Sequence, residues 1–306
     1  MHRLPALTLA RLLAGIALVA VVAGACSPSG AAQAADDRIH VVATTTILAD
    51  LVRQVGGDRV MVESLVPKGG EAHTFDPTPS DVRRVVEADL VIRNGLGMDD
   101  WLLNLIQNAG STAPVIAVAQ DLPGAQYIER GGQVNPHLWM DVAYARAYAS
   151  RIAAELEQLD PAHAADIKAS AAAYDTRLAA LDTDIRTRLA AIPEADRTVI
   201  SFHDAFPYFA RAYGLTVDGT VVDAPGQDPS AAQVEALIGE IRAKGVKAIL
   251  AEAQFSDKLV QAIAGETGAT VVSDLYTDSV GDTPVDTYES VMRWDTDRLL
   301  QVLAGG

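Results

Sequence analysis

DPAHAADIKASAAAYDTRLAALDTDIRTRLAAIP, residues 160–193, is the stretch that decides the fold. Asp160-Pro161 is a helix start and Pro193 closes it, because proline suits a first turn and breaks an interior. Between them lie about 30 residues of Ala, Leu, Asp and Arg with no turn cluster and no alternating strand pattern, roughly 45 Å of helix at 1.5 Å per residue. We read this segment as a rigid, partly exposed helix linking two halves. The competing reading pairs it with the Ala- and Leu-rich Asp141–Leu159 as a helical hairpin inside one domain.

On both sides of this helix, short apolar runs alternate with helical segments. Upstream, strands are expected at His40–Thr45, Val60–Val66, Leu90–Arg93 and Val115–Val118. Helices are expected at Ile47–Val55, from Thr78-Pro79-Ser80-Asp81 onward, and at Asp99–Ala109. Gly56-Gly57 ends the first helix, and Thr78 with Asp81 forms a capping box. Downstream, strands are expected at Thr198–Phe202, Leu215–Val222, Ala248–Ala251 and Thr270–Ser273. The matching helices are Ala205–Tyr213, a segment capped by Asp228-Pro229 and running to Lys244, Asp257–Thr267 and Tyr288–Leu303. Alternating strand and helix argues for parallel sheets covered by helices. The expected fold is therefore α/β: two lobes, each with a mostly parallel sheet flanked by helices, joined by a long rigid helix.

The amino terminus has its own logic. Arg3 and Arg11 precede an apolar run, Leu12–Ala25, of about 14 residues, short of the ~20 that span a bilayer. A basic segment followed by such a run reads as a secretory signal peptide. Ala23-Gly24-Ala25 then leads to Cys26, the single cysteine of the chain. This resembles a lipobox, with Ala23 where leucine is usual, so Cys26 is the expected lipidation site; cleavage without lipidation is the alternative. Ser27–Asp37 is rich in Ser, Pro, Gly, Ala and Gln, a flexible tether. The expected division is residues 1–25 signal peptide, 26–37 tether, 38–159 first lobe, 160–192 linking helix and 193–306 second lobe. One cysteine allows no internal disulfide in an exported chain.

The 306 residues are 49% hydrophobic and 21% charged, a globular composition. With 24 basic and 40 acidic residues the net charge is −16. Nucleic acid is therefore not an expected partner, since phosphate binding needs a basic face. An acidic surface attracts cations at long range, although it also serves solubility alone.

Beyond the leader the chain has five histidines. His40 and His163 have no metal-like company and read as surface or structural residues. His73 follows a strand, in PKGGEAHTFDP (67–77). His137 precedes a helix, in NPHLWMD (135–141). His203 sits at the carboxyl end of a strand, in SFHDAF (201–206). Asp278, in YTDSV (276–280), follows the last strand in the same way. Ligands of open α/β sheets bind outside the carboxyl ends of the strands, where such loops converge. Spacing alone is a weak signal here, because the four residues are dozens of positions apart. Each histidine taken alone is more often a cap or a hydrogen-bonded loop residue, and Asp278 more often a turn residue.

The stretches PKGGEAHTFDPTPSD (67–81), RNGLGMDDW (93–101), NPHLWMD (135–141), SFHDAFPYFARAYGL (201–215), EAQFS (252–256) and LYTDSV (275–280) resemble the cluster A-I solute-binding proteins of bacterial zinc and manganese ABC importers. The resemblance covers essentially the whole exported chain, in order. It implies two lobes joined by a long helix with one metal between them, held by His73, His137, His203 and Asp278. Manganese-type members typically carry Glu at the third position, where this chain has His203. Three imidazoles and a carboxylate suit zinc, whereas manganese prefers more oxygen ligands. The resemblance thus implies zinc, with manganese as the alternative, and partners in an importer permease and, through the lipid anchor, a membrane. A monomer is expected. Many zinc-type members carry a His-rich loop; the corresponding Leu122–Val134 here has no histidine, so loop-assisted loading is not expected.

A ligating imidazole usually gives its second proton to a carboxylate or carbonyl. Asp76, Asp141, Asp204 and Glu252 are the candidates by proximity to the motifs; helix capping or solvation is the other reading of each. Affinity is expected to fall as pH drops through the histidine range near ~6.5. Two other functions compete. A metallohydrolase would need an open water position and a nearby base, and no HExxH-like helix occurs, so no enzyme is expected. A surface adhesin, the other alternative, would need an exposed apolar or aromatic patch, and aromatics are 5% of the chain.

Overall fold

The computed structural model describes residues 37–222 and 225–305. The expected signal peptide, Cys26 and nearly all of the expected tether lie outside the described residues.

The first sheet is built from β1 (Ile39–Ala43), β2 (Val60–Ser64), β3 (Leu90–Arg93) and β4 (Val115–Ala117), in the order β2-β1-β3-β4. Three helices connect these strands: α1 (Thr46–Gly56), α2 (Pro79–Glu87) and α3 (Trp101–Ala109). A two-stranded hairpin follows, β5 (Glu129–Arg130) and β6 (Gln133–Val134), then a 3-10 turn at Leu138–Met140. Next come α4 (Val142–Leu159) and the long α5 (Ala164–Leu189). The second sheet, in the order β10-β9-β7-β8, uses β7 (Thr198–Ser201), β8 (Thr216–Thr220), β9 (Ala248–Glu252) and β10 (Thr270–Leu275). Its helices are α6 (Pro207–Tyr213), α7 (Ala231–Lys244), α8 (Lys258–Thr267) and the final α9 (Tyr288–Leu303). All pairings within the two four-stranded sheets are parallel. The expected α/β architecture of two helix-covered lobes is the one observed.

Both faces of each sheet are buried, which explains the unbroken apolar runs of the strands. Val41 and Val42 point to opposite faces: Val41 joins the largest core, and Val42 joins a smaller one with Val85, Leu102 and Leu105 under α2 and α3. Val199 and Ile200 divide in the same way, Ile200 packing with Ile249, Val260 and Ile263 under α7 and α8. The largest core draws on both sheets at once, from Ile39 and Leu90 to Leu250, Val272 and Leu303. The lobes therefore share apolar packing as well as a connecting helix.

That helix differs from an exposed rod. Tyr174, Leu178, Leu181, Ile185 and Leu189 form a stripe at three- and four-residue spacing, and all are buried. The stripe packs on α4, on α1 of the first lobe and on α9 and α6 of the second. The hairpin reading and the linking reading both describe part of it. The helix begins at Ala164 because residues 160–163 form a turn: Asp160 takes hydrogen bonds from Arg59 Nε and Nη2 at 3.1 and 3.0 Å and faces His163 Nδ1 at 2.9 Å.

Two further starts are worth noting. The carboxylate of Asp81 accepts the Thr78 backbone N–H at 2.7 Å, the expected capping contact. Helix α7, in contrast, is capped by Ser230, which shares a capping box with Gln233, and not by Asp228-Pro229.

Direct bonds also cross between the lobes on one side. Trp139 Nε1 donates to the Thr277 carbonyl at 2.8 Å, the Tyr288 hydroxyl to the Trp139 carbonyl at 2.6 Å, and the Val280 N–H to Thr46 Oγ1 at 2.9 Å. The Tyr288 N–H, at the start of α9, is held by Asp50 of α1 at 2.8 Å.

Candidate metal centre

The carboxyl ends of the two sheets face one cleft, and four loops bring His73, His137, His203 and Asp278 into it. One ligating atom from each lies within 4.8 Å of all the others. His73 rides on the loop after β2. That loop turns at Gly69, whose φ of +67° suits glycine. It is pinned by Gly69 N–H on Ser279 Oγ at 2.9 Å and by Trp101 Nε1 on the Ala72 carbonyl at 2.9 Å. His137 directly precedes the 3-10 turn ahead of α4. His203 follows β7, with its carbonyl held by Ser201 Oγ at 2.6 Å. Asp278 follows β10 between Thr277 and Ser279, all three buried.

The Nε2 atoms of His73 and His203 each lie 3.2 Å from Nε2 of His137. The Asp278 carboxylate oxygens stand 3.6 Å from His73 Nε2, 3.5 Å from His137 Nε2 and 3.7 Å from His203 Nε2. A tetrahedron with arms of ~2.05 Å, the usual zinc–nitrogen length, has edges of about 3.3 Å. The two nitrogen–nitrogen separations are of that size, and the carboxylate lies a few tenths of an ångström farther out. Both carboxylate oxygens of Asp278 are buried and accept no hydrogen bond. A buried carboxylate without donors is costly unless a cation compensates it. The donor set, three imidazole nitrogens and one oxygen, fits a divalent transition-metal ion.

The imidazoles are oriented from behind. His203 Nδ1 is 2.8 Å from the Glu252 carboxylate, which in turn accepts Thr277 Oγ1 at 2.7 Å. His137 Nδ1 is 3.0 Å from Asn135 Oδ1. Each contact engages the Nδ1 proton and turns Nε2 toward the centre. Of the carboxylates considered from sequence, Glu252 touches a histidine ring of the cluster. Asp141 instead caps α4 through Ala143 N–H at 2.9 Å, Asp76 is exposed, and Asp204 meets Asn135 and Arg130. Asn135 and Thr277 escaped the sequence reading. A signal for Asn135 did exist: an Asn two residues before a candidate ligand can accept its backbone N–H, as it does here at 3.0 Å. Glu71 was also missed; its Oε1 accepts the His73 N–H at 2.8 Å.

The electrostatics are uneven. Burial holds His73 down to about 3, helped by the neighbouring His203 charge, and drives His137 well below the usual histidine range. Burial also opposes charge on His203, but Glu252 outweighs it by proximity and hydrogen bond, with Asp278 adding to it, and raises His203 to about 9. Burial lifts Asp278 to about 7. Two neutral rings thus stand beside one imidazolium, itself paired with a carboxylate.

A cavity of about 760 Å³ opens over this cluster, lined by His73, His137 and His203 together with Met98, Arg130 and Asp204. The His73 side chain is 19% exposed and lines this cavity, while that of Asp278, at 0%, is fully buried.

The sequence model of the family described as "zinc-uptake complex component A, periplasmic" (ZnuA) matches residues 41–302. The iron ABC transporter substrate-binding lipoprotein MtsA of Streptococcus pyogenes serotype M1 is 27% identical, over 96% of this chain and 98% of its own. The metal ABC transporter substrate-binding lipoprotein FimA of Streptococcus parasanguinis is 28% identical, over 92% and 94%. Among solved structures, the periplasmic zinc-binding protein TroA from Treponema pallidum superposes with a TM-score of 0.81 at 26% identity, covering 87% of this chain and 99% of that one.

Proposed function

This chain belongs to the family of the periplasmic component A of zinc-uptake complexes, and from that premise we propose that it captures zinc outside the cytoplasm and delivers it to the permease of an ABC importer. The observation that carries the reading is the convergence of His73, His137, His203 and Asp278, one ligating atom of each within 4.8 Å of the others, with the carboxylate of Asp278 buried and without hydrogen-bond donors. These four residues are the ligands in this reading, and the metal is cargo. Three nitrogens and one oxygen favour zinc over manganese. The name of TroA speaks of zinc and that of MtsA of iron, so the donor set of this chain, not a relative's name, supports the choice. Four protein ligands leave no open position of the kind a catalytic zinc keeps for water, and Glu252 is already engaged with His203 and Thr277.

In the same reading residues 1–25 direct export, Cys26 carries a lipid anchor and residues 26–37 form a tether. Residues 38–159 and 193–306 form the lobes on either side of the link at 160–192. The protein works as a monomer. Apolar packing and hydrogen bonds shared between the lobes favour release through loop shifts near His73, the most exposed ligand, over a wide hinge opening.

Titration of the metal-stripped protein with zinc and with manganese by calorimetry tests the assignment. Zinc is expected to bind far more tightly; equal or tighter manganese binding would overturn it.

The charge state of the cluster adds a second expectation. At pH 7 a His203 raised to about 9 is protonated and an Asp278 raised to about 7 is half protonated. Coordination needs both without protons, so zinc binding at pH 7 should release between about one and two protons. Affinity should rise about tenfold per pH unit from 7 to 9, and more steeply below 7. His73 and His137, already neutral, contribute nothing in that window. Calorimetry in buffers of different ionisation enthalpy reads the proton count directly; release of none at pH 7 would contradict it.

A further inference from the structure

We propose that Asn135 is a positioning residue of the metal site, fixing the ring of His137 and linking it to the second lobe. Every polar group of this residue, 6% exposed, is engaged. Its N–H donates to the Ile128 carbonyl at 2.8 Å and its carbonyl accepts the Tyr208 hydroxyl at 2.9 Å. Side-chain Oδ1 accepts the His137 N–H at 3.0 Å and faces His137 Nδ1 at 3.0 Å. Side-chain Nδ2 donates to the Asp204 carbonyl at 2.6 Å and to Asp204 Oδ2 at 3.1 Å.

These contacts fix the orientation of the amide. With the amide turned over, its NH2 would face the His137 N–H and its oxygen two oxygens of Asp204. With Oδ1 toward His137, the Nδ1 proton has an acceptor and the Nε2 lone pair points at Nε2 of His73 and His203.

The position needs an acceptor on one side and a donor on the other. A carboxylate supplies the first and lacks the second, and would stand against Asp204. An amide supplies both, which gives a physical reason for Asn here when His203 is served by Glu252. The donor side reaches across the cleft. Asn135 ends the hairpin β5–β6, whose tight Gly131-Gly132 turn has φ of 60° and 79°. Asp204 belongs to the loop after β7, and its Oδ1 lies 3.1 Å from Arg130 Nη1 on the same hairpin. The hairpin is thereby tied to the opposite lobe at the mouth of the cavity, and His137 hangs from the same residue.

This inference rests on the metal-capture reading, and one set of measurements separates the two. Zinc affinity by competition with a chromophoric chelator, zinc release rate by stopped flow, and the visible spectrum of the cobalt(II)-loaded protein are compared for wild type, Asn135→Ala and Asn135→Asp. Asn135→Ala is expected to weaken zinc by ~10–100-fold, the usual effect of losing a partner behind a ligand, and to alter the cobalt spectrum. Asn135→Asp keeps the acceptor for His137, so it should restore the cobalt spectrum and most of the affinity. Having lost the donor to Asp204, it should release zinc faster than wild type.

Wild-type affinity and spectrum in Asn135→Ala would overturn the proposal and leave metal capture standing. An Asn135→Asp protein as impaired as Asn135→Ala would also overturn it, since the acceptor would then not matter. A release rate in Asn135→Asp equal to wild type would remove the link to the second lobe. A wild-type protein that takes up neither zinc nor cobalt would sink the capture reading itself, and this one with it.

Discussion

Replacing His203 with alanine is expected to weaken zinc binding by ~100-fold or more. A four-ligand structural zinc site is worth ~10–16 kcal/mol at neutral pH. An even share for one ligand is about 3 kcal/mol, or a factor of ~100. The site gives reason to expect at least that much. His203 is oriented by Glu252 at 2.8 Å, and both are buried. Removing the ring strands a buried carboxylate as well as a coordination position. His203→Glu probes selectivity: it exchanges a nitrogen donor for oxygen, which favours manganese relative to zinc, while placing like charge beside Glu252 and Asp278. Zinc and manganese affinities by chelator competition, on variants whose circular dichroism matches wild type, give the result. Unchanged zinc affinity in His203→Ala would exclude the residue from the site.

His203 also marks the limit of what the sequence discloses. Its position after an apolar strand was readable, as was the alternation that makes two parallel sheets, because strands buried on both faces leave unbroken runs such as VVA and AILA. The convergence of four loops was not readable from spacing. It depends on two sheets presenting their carboxyl ends to one cleft, a relation with no local pattern. The motifs supplied it by resemblance, and the structure brings the four side chains together.

The hairpin at Glu129–Val134 was missed for a different reason. Its strands are two residues each and polar, so hydrophobic periodicity has nothing to register, although Gly131-Gly132 is a turn signal. Asn135 carries no charge to mark it in the sequence as a partner of a ligand, and His137 is served by its amide rather than by a carboxylate. The linking helix was predicted as partly exposed because its composition is so rich in Ala and charge. Its stripe of Tyr174, Leu178, Leu181, Ile185 and Leu189 carries the helical period that would have placed it against the core.

Asp278→Asn is expected to move stability in opposite directions with and without metal. In the metal-free protein, burial raises the Asp278 carboxyl from 3.8 to about 7. A group whose folded value exceeds its unfolded one stabilises the fold below the unfolded value, and that advantage is lost as pH rises through the folded value. Ionised Asp278 therefore weighs against the metal-free fold above pH 7, by up to about 4 kcal/mol for a rise of about 3 units at ~1.4 kcal/mol each. An amide is uncharged and can donate toward the Nε2 lone pairs of the neutral His73 and His137, 3.6 and 3.5 Å from the present carboxylate. At ~2–4 °C per kcal/mol, the metal-free variant should melt several degrees above metal-free wild type at pH 8. At pH 4 the difference should largely vanish.

Zinc reverses the order. At a thousandfold excess over Kd a bound ligand adds ~4 kcal/mol, or ~8–16 °C in Tm, to the wild type. The variant, without its anionic ligand, should gain only a small part of that. Differential scanning fluorimetry with and without zinc, at pH 4 and pH 8, measures all four terms. A variant that melts lower than wild type without metal, or gains as much as wild type with it, would refute the argument. The expected pattern is that of a site kept at a cost to the metal-free fold, because the same buried, donor-free carboxylate that destabilises it completes the charge a divalent cation requires.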